Sequence, residues 1–168
     1  MSQFYKSITK EQSELINKAK LFFVATADPK LQSGSDGAGP VNVSPKGGVP
    51  LHILSPNRVA FLDYFGSGNE TARHAKAGGP ITVMVSCFEG ENAAVVRLYG
   101  TATVTNIEDS PIAERLLEKP AIEMGPKARQ VIDIEVTSTM TSCGYGVPVM
   151  EFNRDRKKSD RGRLYKDT

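Results

Sequence analysis

Two long strand signals separated by a four-residue turn constrain this chain more than any other feature. Pro80 to Phe88 (PITVMVSCF) and Ala93 to Thr105 (AAVVRLYGTATVT) are rich in β-branched and apolar residues, with Glu89-Gly90-Glu91-Asn92 between them. So short a connection leaves no room for a crossover helix, and the two segments must pair antiparallel. Further strand signals surround this pair. Leu21 to Ala27 (LFFVATA) is a compact apolar run ended by Asp28-Pro29, and Arg58 to Tyr64 (RVAFLDY) is a second; Val131 to Val136 (VIDIEV) near-alternates and should close the sheet. Val41 to Ser44 and Leu51 to Leu54 read as short strands joined into a hairpin by Pro45-Lys46-Gly47-Gly48.

Helical signals lie at the edges. Thr9 followed by Gln12 has capping-box spacing and opens a helix running to about Lys20. Ala72 to Ala77 reads as one or two helical turns, and Ser110-Pro111 opens a helix through Lys119. Short strands adjacent in sequence and linked by hairpins, with peripheral helices, specify a mainly β antiparallel barrel rather than a parallel sheet.

The 168 residues, 39% of them hydrophobic, enclose one ordinary core, so residues 1–152 read as a single domain. Residues 153–168 (NRDRKKSDRGRLYKDT) form a charged, solvated tail. With 21 basic and 19 acidic residues the net charge is +2, which argues against a nucleic-acid or membrane surface. No apolar run is long enough to cross a bilayer, and the polar N-terminus is no secretory signal. The two cysteines, Cys87 and Cys143, lack the close pairing of a zinc site, so no metal is expected and a cytoplasmic location fits.

Four segments can carry chemistry. Asn42 and Ser44 share one face of a strand and Lys46 follows at the mouth of the turn, so one polar face ends in a cation; such a face suits a flavin's polar edge and phosphate, or is a plain solvent-facing strand with a turn lysine. Asp63-Tyr64-Phe65-Gly66-Ser67-Gly68-Asn69-Glu70-Thr71 passes from strand end through glycines to a helix start, either a phosphate cradle or a capped helix after a turn. Arg97 sits inside the apolar strand VVRLYG and needs Asp63, Glu70, a ligand or solvent as its partner. Gly100 nearby marks a bulge or close backbone approach that a flat ligand could exploit. Ser142 to Pro148 (SCGYGVP) is a glycine-punctuated loop in which Cys143 lacks an evident histidine partner, and His52 and His74 read as structural or exposed.

Taken in order, NVSPKGG, VAFLDYFGSGNETARH, VVRLYGTATV and SCGYGVPVME resemble the blocks of the pyridoxamine 5′-phosphate oxidase-like family, and more narrowly its branch of predicted flavin-nucleotide-binding proteins. The resemblance covers about Leu21 to Phe152. It implies a six-stranded Greek-key split barrel that works as a homodimer with FMN at the subunit interface. Asn42, Val43, Ser44 and Lys46 from the first block, and Leu62, Asp63, Gly66, Ser67, Gly68, Asn69 and Thr71 from the second, then line the FMN. Arg97 either touches the flavin or braces the dimer. The implied activity is an FMN-dependent oxidoreductase acting on a small-molecule substrate or electron donor. Alternatives are a non-catalytic flavin carrier or sensor, the same barrel holding haem (with His52 or His74 as axial ligand) or a deazaflavin, and a ligand-free structural dimer. No residue is assigned as catalytic. The family's oxidases carry an arginine and a Ser-Arg-Lys cluster where this chain has Asn42 and Ser67-Gly68-Asn69, so the phosphate site here is less cationic. No match to their C-terminal substrate segment is present, and vitamin B6 oxidation does not carry over.

Overall fold

A computed structural model describes residues 2–35, 37–66, 68–90, 93–117, 128–156 and 160. They form β1 (Gln3–Tyr5), α1 (Lys10–Lys18), β2 (Leu21–Ala27), β3 (Val41–Gly47), β4 (His52–Ser55), β5 (Arg58–Tyr64), α2 (Glu70–Lys76), β6 (Pro80–Ser86), β7 (Ala94–Asn106), α3 (Ala113–Leu117) and β8 (Ala128–Cys143). All strand pairs are antiparallel. The sheet runs β3-β2-β6-β7-β8-β5-β4, with β1 added to β8, so it has eight strands where six were expected. The mainly β architecture is as expected; part of the difference in count is the three-residue β1, too short to leave a periodic signal.

The hairpin expected between Val41–Ser44 and Leu51–Leu54 does not form. β3 pairs with β2 and β4 pairs with β5, at opposite ends of the sheet. The assumed turn residues Pro45 and Lys46 continue β3, because an edge strand tolerates a residue without an N–H. The chain turns later, where Gly48 takes φ +72°. β6 and β7 pair as their short connection requires. β8 is far longer than VIDIEV: sixteen residues that contact β7, β5 and β1 in turn. The helix expected through Lys119 is observed as Ala113–Leu117, and Glu118 and Lys119 lie outside the described residues, as do Glu91 and Asn92 of the turn and most of the tail.

The sheet curls on itself. Phe22 of β2 and Phe61 of β5 have three strands between them in the ladder order, yet their rings meet edge to face at 5.4 Å. Around them Val24, Val59, Ile81, Val83, Leu98, Ile132 and Ile134 fill the interior, and Ile16 of α1 joins them. The Thr9–Gln12 capping box fixes α1, and Gln12 reaches across to the hydroxyls of Thr139 and Thr141 on β8. On the outer face of β5, Ala60 and Leu62 pack with Leu116 of α3 and Val131. β5 is thus buried on both sides, which explains its unbroken apolar run. No described helix is long and apolar enough to cross a membrane.

Gly100 does mark both a bulge and a close approach, but the group that approaches is backbone rather than ligand. A Cβ there would overlap the Glu135 carbonyl oxygen of β8.

His74 of α2 is fully buried and ties the helix to β2. Arg73 Nη2 lies 3.0 Å from its Nε2, and a guanidinium can only donate. Nε2 therefore accepts, which leaves the proton on Nδ1 to donate to Thr26 Oγ1 at 2.9 Å. Both ring nitrogens are engaged, so His74 is not free to ligate haem iron. Thr26→Val, nearly isosteric, orphans that buried N–H and is expected to cost about 1–3 kcal/mol, read as a lowered urea midpoint at unchanged slope.

Candidate functional site

β3, at one end of the curled sheet, faces β5 near the other across a seam that side chains close and no described strand ladder crosses. Alternation along β3 turns Asn42, Ser44 and Lys46 toward this seam and Val41, Val43 and Pro45 outward. Lys46 Nζ lies 5.8 Å from the Phe61 ring centroid and 3.2 Å from Asp63 Oδ1 on β5. Asp63 Oδ2 accepts from Arg129 Nη2 at 2.6 Å and from Gln130 Nε2 at 2.8 Å.

Adjacent residues of a regular strand point to opposite faces, so Arg129 and Gln130 should not share a partner. A register shift lets them: Asp63 pairs with Gln130 and Tyr64 with Ala128, which leaves Arg129 as the extra residue of a bulge. Gln130 also donates to Asn69 Oδ1 at 2.9 Å. That bond occupies the side chain which would otherwise cap α2, and Asn69 makes no side-chain cap. Asn42 Nδ2 donates to Ser44 Oγ at 3.0 Å and to the buried Thr71 Oγ1 at 3.4 Å, joining β3 to α2.

These groups border a cleft of about 340 Å³ whose wall includes Ser44, Lys46, Asp63, Tyr64, Gly66, Gly68, Asn69, Glu70, Thr71 and Arg129. Burial alone raises the Asp63 carboxyl, but hydrogen bonds from Arg129 and Gln130, with the charges of Lys46 and Arg129, outweigh it and hold the group below the ordinary aspartate range. Burial pushes the Tyr64 phenol up, so at neutral pH it remains a protonated donor. Arg129 Nε–H is buried without an acceptor among the described residues. The Glu70 carboxylate folds over Gly68, where an added Cβ would overlap Oε2 and lie 2.9 Å from Oε1. The Glu70 carboxylate makes no hydrogen bond or ion pair to any described residue. A second depression of about 430 Å³ lies on the outer face around Arg58, but that guanidinium is committed in a fork to Asp133.

Of the residues singled out in the sequence, Asn42, Ser44, Lys46, Asp63, Gly66, Gly68, Asn69 and Thr71 come together at this seam. Val43 lies on the opposite face of β3 and is 62% exposed, and Leu62 packs against α3. Ser67 lies outside the described residues. Arg97 pairs with neither Asp63 nor Glu70: flanked by inward Val96 and Leu98, it faces outward and donates to Ser142 Oγ at 3.1 Å. Arg129 and Gln130 escaped the sequence reading, because two polar residues ahead of an apolar strand mean nothing until the β5–β8 register is known.

No family model matches the chain. Over 163 residues it is 31% identical to a pyridoxamine 5′-phosphate oxidase family protein of Aspergillus flavus, and the alignment takes in 95% of this chain. The chain belongs to the pyridoxamine 5′-phosphate oxidase-like family. It spans 61% of the length of that relative. Solved structures agree on the family's barrel. A Lactobacillus delbrueckii protein named for pyridoxamine 5′-phosphate oxidase superposes with a TM-score of 0.58 at 22% identity, covering 80% of this chain and 94% of its own. An FMN-binding protein of Syntrophomonas wolfei superposes with a TM-score of 0.56 at 13% identity, covering 76% and 81%.

Proposed function

We propose that this chain is a cytoplasmic FMN-binding oxidoreductase that holds the cofactor in the seam between β3, β5 and β8. The observation that carries the reading is the convergence of Lys46 and Arg129 on one cleft with donors still unspent. Lys46 gives one of its three N–H groups to Asp63, and the buried Arg129 Nε–H has no acceptor among the described residues. A phosphate would accept from the remaining Lys46 N–H groups beside the Arg129 charge, and the Ser44 and Thr71 hydroxyls suit a ribityl chain. The residues present therefore fit a phosphorylated flavin. Bound FMN supplies hydride or electron transfer through its ring, while the protein orients and shields it. Asp63, saturated by three donors, is a poor proton carrier, in keeping with chemistry left to the cofactor.

A cleft of about 340 Å³ sits near the low end of cofactor sites, roughly 300–1,000 Å³, which suits a second copy completing the wall. The outer face offers a surface for that copy. Across the strands Pro45, Phe23, Met84, Arg97, Met140 and Phe4 stand side by side in register, an apolar row with a single cation. Phe4 and Val43 are 69% and 62% exposed. Arg97 would then brace the homodimer rather than touch the flavin of its own subunit.

The deciding experiment is the visible absorption spectrum of the purified protein, followed by titration with FMN, riboflavin and FAD. Flavin bands with saturable uptake of FMN support the reading, and a colourless protein that ignores all three removes it. Lys46→Ala and Arg129→Ala are each expected to weaken FMN by about 1–3 kcal/mol in the same titration, with a smaller loss for riboflavin. Bound flavin that turns over with no nicotinamide donor or ordinary acceptor would favour the carrier role.

A further inference from the structure

The cleft holds one charge that the flavin reading does not use. Of the four charged groups on its described wall, Lys46 and Arg129 are positive and Asp63 and Glu70 negative, so the site is neutral although two cations converge there. A phosphate monoester brings between one and two negative charges at neutral pH. For it to bind well, one carboxylate must yield. Asp63 is fixed by Lys46, Arg129 and Gln130, whereas the Glu70 carboxylate has no hydrogen bond or ion pair among the described residues. Its carboxylate rests on Gly68, and the Gly68 carbonyl oxygen lies 3.4 Å from Arg129 Nη2. Glu70, Gly68 and Arg129 line the same cleft, so an anion drawn to the Arg129 guanidinium there meets the Glu70 carboxylate beside it.

We propose that Glu70 sets the phosphate selectivity of this cleft: its carboxylate occupies the anion position and lowers affinity for FMN relative to unphosphorylated riboflavin. The inference rests on the flavin reading for its ligand and on cleft geometry for its residue. It gives Glu70 a role beyond that of an acid in the first turn of α2, where its charge favours the helix end. The two roles separate experimentally, since a helix effect changes stability without distinguishing one flavin from the other.

The test compares the full-length wild type with Glu70→Gln and, as a remote control, Glu135→Gln, whose acid lies by the outer depression. Each protein is titrated with FMN and with riboflavin, and its melting is followed in inorganic phosphate against chloride at equal ionic strength. Removing one charge a few ångströms from the phosphate is expected to tighten FMN about tenfold in Glu70→Gln, while riboflavin stays within about twofold. Phosphate alone should stabilise Glu70→Gln more than wild type, and Glu135→Gln should match wild type throughout. FMN affinity that stays unchanged in Glu70→Gln, or moves in step with riboflavin, overturns the proposal and leaves flavin binding intact. If no protein binds either flavin, the flavin reading falls and the phosphate arm decides: a gain in Glu70→Gln upholds the charge guard, and no gain removes it.

Discussion

Asp63→Ala is expected to lower stability by about 2–4 kcal/mol, a fall of about 5–15 °C in melting temperature for a chain of this size. Asp63 is 8% exposed and its carboxylate is the common acceptor for Lys46, Arg129 and Gln130. Its loss strands two partly buried cations and an amide donor around a small void. Asp63→Asn should not rescue, because its amide turns a donor toward donors. Anion affinity should move the other way, since the variant cleft gains net positive charge; phosphate then raises its melting temperature more than that of wild type. Stability without ligand and gain with ligand are thus read from the same melts. The effect also depends on pH. Because the folded state holds Asp63 below its unfolded value, the contribution is fully present above about pH 4 and is lost as pH falls through the folded value. The gap between wild type and variant should therefore narrow in acid, and a gap that widened would mean the carboxyl is not held ionised.

Gly100→Ala is expected to cost about 3 kcal/mol or more and to reduce soluble yield. The new methyl overlaps the Glu135 carbonyl oxygen and lies 2.9 Å from the carbonyl carbon. Those atoms belong to the backbone of β8, bonded to β7 on one side and β5 on the other, so no side-chain rotation relieves the clash. Gly39→Ala is the control: its nearest atom would be 3.9 Å away, and it should be neutral or slightly stabilising. Equal melting of the two variants would mean that β8 yields at the bulge.

What could be read from the sequence divides along the line between local and non-local physics. The β6–β7 pairing follows from a short turn, the α1 cap from two residues at fixed spacing, and the inward face of β3 from alternation, all within a few positions. The partner of β3 does not. Pro45-Lys46-Gly47-Gly48 has the composition of a turn, and only the place of β3 at the sheet edge makes Pro45 acceptable inside a strand. The candidate site shows the same division. Lys46 and Asp63 stand in separate blocks that each carry a polar pattern, so both were visible. Arg129 becomes a partner of Asp63 only through a bulge, which depends on how two strands 66 residues apart come into register. Arg97 shows the converse: a charge in an apolar run marks a special position but not the face it takes.

The seam has a consequence for how long the protein lasts. Elsewhere the wall is stitched by backbone hydrogen bonds, but between β3 and β5 the described residues close it with side chains, the Lys46–Asp63 contact and its neighbours. The proposed ligand, gripped by Lys46 on one bank and Arg129 on the other, would act as a strut across the slit. By mass action it adds about 2.7 kcal/mol at a hundred times its dissociation constant. On the proposed reading, supply of the occupant would become a control on abundance: without it the barrel is expected to part first at the seam, exposing Phe22 and Phe61 to proteases while the rest of the wall is still intact.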